Sequence, residues 1–122
     1  MEDFLLQTDT IFNKKFLFYI RKIGRFCDFE TCGVITNNKI YFLKNYAEDI
    51  YSDFVLNPSD YYSVYSDIRC IFHSHPSSST DFSEADLDNI YNSCLSSLVY
   101  SKKDDNFLFF DVITENKFIF HL

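Results

Sequence analysis

The sequence predicts an α/β (α+β) fold, a mixed β-sheet flanked by helices. Three observations lead there. Residues 10–26 place apolar side chains at helical spacing. Residues 31–43 read as a hairpin. Helical and strand-like stretches then alternate to the end of the chain, with strands predominating over the last third.

In the first stretch, Ile11, Phe12, Phe16, Tyr19, Ile20 and Ile23 share one helical face. Thr8, Asp9 and Thr10 are candidate N-caps, and Gly24 falls near the expected end. Two β-rich runs, 31–36 and 39–43, flank Asn37-Asn38, a two-residue turn. Residues 45–57 are mixed and predict a loop or an edge strand. Pro58-Ser59-Asp60 opens a short helical stretch, since proline suits a first helical turn. Residues 69–73 read as a buried strand and 76–82 as a polar loop. Ser83 starts a helix reaching Cys94 or Leu95, and strands are expected at 98–100, 107–113 and 117–120.

The 122 residues fit a single domain, 1–122. Apolar residues make up 47% and aromatics 20%, enough to fill a core, and only 2 Gly and 2 Pro exclude collagenous or linker architectures. The net charge of −7 disfavours a phosphate backbone, so no nucleic-acid partner is expected. No apolar run approaches the roughly 18–20 residues of a membrane span. Met1-Glu2-Asp3 lacks a basic leader, so a cytoplasmic or virion protein is expected, with no membrane partner. Cys27, Cys32, Cys70 and Cys94 form no C-x-x-C pair and read as reduced, buried small hydrophobes.

The chemistry concentrates in His73-Ser74-His75-Pro76 followed by Ser83-Glu84-Ala85-Asp86. Residues i and i+2 of a strand share a face, so both imidazoles can converge on one ion. Pro76 ends the strand, and Asp86 on the first turn of the next helix can swing in as a third ligand. Three protein ligands leave a position for water, the arrangement of a catalytic zinc site. Ser83 is placed to donate to that water or to a developing oxyanion. Glu30, just before the hairpin, is the candidate base if its strand borders the His73 strand. Each part has a plainer reading. Ser83-x-x-Asp86 is also a helix capping box, His-x-His pairs occur without metal, and Glu30 alone reads as a solvated carboxylate. Ser74 points to the opposite strand face and reads as structural, His121 as surface, and Cys32 as a residue lining the cleft.

This constellation closely resembles the signature of the JAMM (MPN-plus, JAB-type) zinc metalloproteases: a Glu, a later His-Ser/Thr-His, seven residues, then Ser-x-x-Asp. Here these are Glu30, His73-Ser74-His75, Ser83 and Asp86, with Glu30 and His73 43 positions apart. Glu30-Thr31-Cys32-Gly33, Asn45-Tyr46-Ala47-Glu48 and residues 54–61 resemble prokaryotic and phage versions, most of all the peptidase domain of lambda-type phage tail assembly proteins. The resemblance implies an MPN-type fold with deaminase-like layering. It implies Zn2+ held by His73, His75 and Asp86, with Glu30 as general acid/base and Ser83 steadying the tetrahedral intermediate. The implied reaction is hydrolysis of a peptide or isopeptide bond by metal-activated water. The implied partner is a protein or peptide substrate, a phage tail protein or a ubiquitin-like protein, and the expected mode is strand addition to an edge near residues 46–57. Many phage relatives carry a second, cysteine-peptidase domain, and a stand-alone version is expected here. A non-catalytic MPN-type scaffold is the alternative. A zinc nucleoside deaminase is excluded, because its H-x-E and P-C-x-x-C signature is missing.

Overall fold

The computed structural model describes residues 13–62 and 65–122. In chain order the elements are α1 (Lys14–Phe26), β1 (Cys32–Thr36), β2 (Ile40–Leu43), a single 3-10 turn (Pro58–Asp60), β3 (Ile68–His75), α2 (Glu84–Ser93), β4 (Ser96–Ser101), β5 (Asn106–Phe110) and β6 (Lys117–Phe120). The strands form one mixed sheet in the order β2-β1-β3-β4-β5-β6. Only β3 and β4 run parallel, joined by the crossover through α2, and every other neighbouring pair is antiparallel. Among the described residues the architecture is therefore α+β, with six strands and two helices. No helix is long and apolar enough to cross a membrane among those residues.

The expected caps Thr8, Asp9 and Thr10, with Ile11 and Phe12, lie outside the described residues. The described helix is capped by Asn13, whose side chain accepts from Lys15 N–H at 2.9 Å. Gly24 lies near the end of α1, as expected, two residues before Phe26. A Cβ there would sit 2.8 Å from the Tyr100 ring, so glycine lets the helix approach the sheet. Leu17 and Ile20 of α1 bury against Ile35, Cys70, Phe72, Leu98, Tyr100, Phe107 and Phe109.

The hairpin forms as expected, with Ile35 opposite Ile40 and Thr36 N–H donating to Lys39 O at 2.9 Å. Residues 44–57 form a loop. The last hairpin differs from expectation, since β5 stops at Phe110 and residues 111–113 belong to the turn. Asp111 Oδ1 accepts from Ile113 N–H at 2.9 Å, and this local bond draws the chain out of the ladder. The four cysteines are free. Cys32 and Cys70 are buried, Cys27 is half-buried, and Cys94 is exposed, contrary to expectation. Cys94 caps α2 in the left-handed conformation (φ 57°), which turns it away from the core.

Candidate metal centre

Adjacent strand residues face opposite ways, so β3 divides its side chains between two environments. Phe72 and Ser74 face α1, whereas Ile71, His73 and His75 face α2 and the 44–62 loop. Ser74 is structural, as expected: its Oγ accepts from Thr31 N–H at 2.9 Å and bonds Thr31 Oγ1 at 2.8 Å. That contact locks β1 against β3 next to the site. Cys32 lies directly opposite His73, and Ser74 N–H donates to Thr31 O at 2.9 Å. This register carries Glu30 across from His75, although the two are 45 positions apart in the chain.

Asp86 arrives from the first turn of α2. Ser83 Oγ accepts from Asp86 N–H (3.1 Å), and Asp86 Oδ2 accepts from Ser83 N–H (3.0 Å), a complete capping box. The capping and ligand readings of Asp86 therefore coexist. The same Oδ2 lies 3.1 Å from His75 Nε2, and Oδ1 lies 3.3 Å from His73 Nε2. The two Nε2 atoms are 3.0 Å apart. Ser83 is exposed, and accepting one bond leaves its hydroxyl proton free to donate elsewhere.

Glu30, His73, His75 and Asp86 are all buried, at 5%, 0%, 4% and 2% exposure. Each offers one ligand atom within 4.8 Å of the others, so the group could hold a metal ion. Three features fit a cation. A tetrahedral ion at about 2.0–2.1 Å from its ligands sets them about 3.3 Å apart, close to the 3.0–3.3 Å that separate the two Nε2 atoms from each other and each from one of the two Asp86 oxygens. His75 Nδ1 contacts Ser79 O, which can only accept, so the neutral ring turns its Nε2 lone pair inward. The two Nε2 atoms and the Asp86 carboxylate then converge on one point, where protons on the imidazoles or a bound cation can balance the carboxylate. Finally, Glu30 Oε1 is buried without a hydrogen-bond partner, an atom facing a place where a polar group belongs.

The electrostatics follow the same geometry. Burial pushes the Glu30 carboxyl up to about 7; the neighbouring His75 eases this, and the charges of Asp86, Asp53 and Asp49 add to it. Burial also disfavours charge on Asp86, but hydrogen bonds from both histidines and from Ser83 N–H outweigh it and hold that carboxyl far below the usual range. Burial lowers His73. It acts the same way on His75, where the bond to Asp86, the Ser79 carbonyl and the nearby carboxylates prevail and raise it.

Phe54, which sequence reasoning missed, stacks on His73 with ring centroids 4.1 Å apart and an interplanar angle of 21°. It shields the ring and sets its plane. No local pattern marks this contact, because Phe54 lies in an irregular loop. Beside Glu30 opens a groove of about 540 Å³, walled by Tyr19 and Ile23 of α1 and by Phe29, Phe42 and Leu43. Cys32 lines it, as expected. The expected docking edge near residues 46–57 is no strand, because the Asn45 side chain bonds that segment back on itself. Among the described residues the edge strand nearest the site is β2, which pairs with β1 alone. His121 is exposed at the surface, as expected, with Nδ1 3.2 Å from Asp105 O.

The fold and site thus define a mixed-sheet α+β protein with a buried two-histidine, two-carboxylate cluster. No protein-family model and no curated protein matches this chain.

Proposed function

We propose that this chain is a zinc-dependent metallopeptidase or isopeptidase of the JAMM (MPN-plus) type, with MPN-type layering, acting on a protein or peptide substrate in the cytoplasm or a virion. One observation carries the reading: His73, His75 and Asp86 offer ligand atoms within 4.8 Å of one another and of Glu30, whose Oε1 is buried without a partner. His73, His75 and Asp86 would hold the ion, which when bound supplies a Lewis acid that polarises a carbonyl and acidifies water. Glu30, tuned by burial toward neutrality, takes the proton of the attacking water and delivers it to the departing amine nitrogen. The water oxygen bonds to the carbonyl carbon, the C–N bond breaks, and no covalent enzyme intermediate forms. Ser83 donates its hydroxyl to the developing oxyanion. The apolar groove beside Glu30 offers a bed for the chain being cut. A phage tail protein or a ubiquitin-like protein is the substrate class the motif resemblance favours.

The test begins with metal analysis of protein purified without chelator, where about one zinc per chain is expected. Glu30→Gln should retain the zinc and lose peptide hydrolysis by at least about a hundredfold, the scale of a lost general base. A chain that binds no zinc, or a Glu30→Gln variant as active as wild type, overturns the reading.

A further inference from the structure

Glu30 is the one member of the cluster held by its main chain alone. Its N–H donates to Ile50 O at 2.7 Å, its carbonyl accepts from Asn45 Nδ2 at 3.0 Å, and its side-chain Oε1 has no partner. Both main-chain anchors come from the loop between β2 and the 3-10 turn.

That loop is clipped shut by one side chain. Asn45 Nδ2 donates to Glu30 O and to Asp53 O (2.9 Å), while Oδ1 accepts from Ala47 N–H and Val55 N–H, both at 3.0 Å. Two carbonyls on one side and two N–H groups on the other allow only one orientation of the amide. All four of its hydrogen-bonding positions are used, and they tie together residues 30, 47, 53 and 55. Tyr46 N–H to Val55 O, at 2.9 Å, closes the neck of the loop.

We propose that Asn45 is a positioning residue for Glu30, an assignment that rests on Glu30 acting as the general base. The Nδ2–Glu30 bond fixes where the carboxylate enters the pocket, and the other three bonds hold Asn45 still enough to do so. A displacement of about 1 Å at a reacting group costs on the order of a hundredfold in rate. The donor half of the amide is the part that matters for Glu30, and the acceptor half is the part that matters for the loop.

Asn45→Asp separates the two halves. It keeps both acceptor bonds and replaces the donor with an oxygen facing two carbonyls. The experiment compares wild type, Asn45→Asp and Asn45→Ala, loaded with zinc, on a quenched-fluorescent peptide library, with hydrogen exchange on the same samples. For Asn45→Asp the expected result is unchanged zinc content and unchanged exchange in β4 and β5. The amide of Glu30 exchanges at least about tenfold faster, and kcat on the best-cleaved peptide falls at least about tenfold while KM stays within about twofold. Wild-type kcat and wild-type exchange at Glu30 overturn the proposal. So does a variant that loses zinc and global protection together, because that marks a purely structural residue. A wild-type chain that holds zinc but cleaves no peptide overturns the peptidase reading instead, and exchange at Glu30 in Asn45→Asp then decides by itself whether the clip exists.

Discussion

The two faces of the sheet share every strand, yet only one of them carries a cluster of buried ionisable groups. On the α1 face, Phe72, Leu98, Tyr100, Phe107 and Phe109 meet Leu17 and Ile20 in an apolar layer. On the other face, the same β3 strand places His73 and His75 beside Asp86 and Glu30, four ionisable groups at 5% exposure or less. Apolar burial stabilises the first face at about 25 cal/mol per Å². The second face has apolar clusters of its own, around Val34, Phe54 and Ile71 and around Ile90, Leu108 and Phe110, but the end that holds the four ionisable groups works against folding until its charges are compensated. The difference teaches that the apolar α1 layer stabilises the sheet while the same strands hold a costly buried polar cluster on the other side. Even the contact between the faces reflects this, since Ser74, between the two histidines, spends its hydroxyl on Thr31 and fixes the register that brings Glu30 in.

Three further experiments sharpen or break this contrast. The largest effect belongs to the apolar face. Phe72→Ala should cost about 3–5 kcal/mol in denaturant unfolding, because Phe72 is fully buried and packs against Phe42 with centroids 5.0 Å apart. A cost below about 1 kcal/mol would remove the claim that this layer carries the stability.

The polar face should show its cost through pH. In metal-free protein Glu30 titrates near 7, above its unfolded value of 4.5. Its contribution is therefore fully present below about pH 4.5 and is lost as pH rises through 7. Between pH 5 and pH 8 the metal-free wild type should lose about 1–3 kcal/mol more than Glu30→Gln. Parallel stability curves for the two would mean that burial does not tune Glu30. Smallest is the seam between the two roles of the capping box. Ser83→Ala removes the acceptor for Asp86 N–H and should cost about 1 kcal/mol of stability. If it also leaves hydrolysis at the wild-type rate, Ser83 caps the helix and does nothing for the oxyanion.

The parts of the site that lie close in the chain were legible from residue order. His73 and His75 follow from the two-residue period of a strand. Asp86 follows from the geometry of a helix N-terminus, and the break between them from Pro76. The hairpin at Asn37-Asn38 was equally plain, because its turn and both flanking runs are local. The errors have local causes too. The hydrophobic run through Ile113 concealed an Asp111 side chain that bends the chain at residue 111. Gly24 falls near the helix end as expected, but its contact with Tyr100 could not be read from the helix pattern. Phe54 and the grip of Asn45 on Glu30 were invisible, because an irregular loop has no periodicity from which to read a partner.

By itself the sequence determined which groups could meet: two imidazoles on one strand face, a carboxylate at a helix start, and a second carboxylate, Glu30, just before the hairpin. Only the tertiary structure decided that they do meet. Glu30 reaches the pocket through the pairing of β1 with β3, a contact between residues 43 apart whose register is set by Thr31, Ser74 and the apolar layer beneath them. Spacing along a chain fixes directions within one element, whereas distances between elements depend on burial and register, which no local pattern encodes.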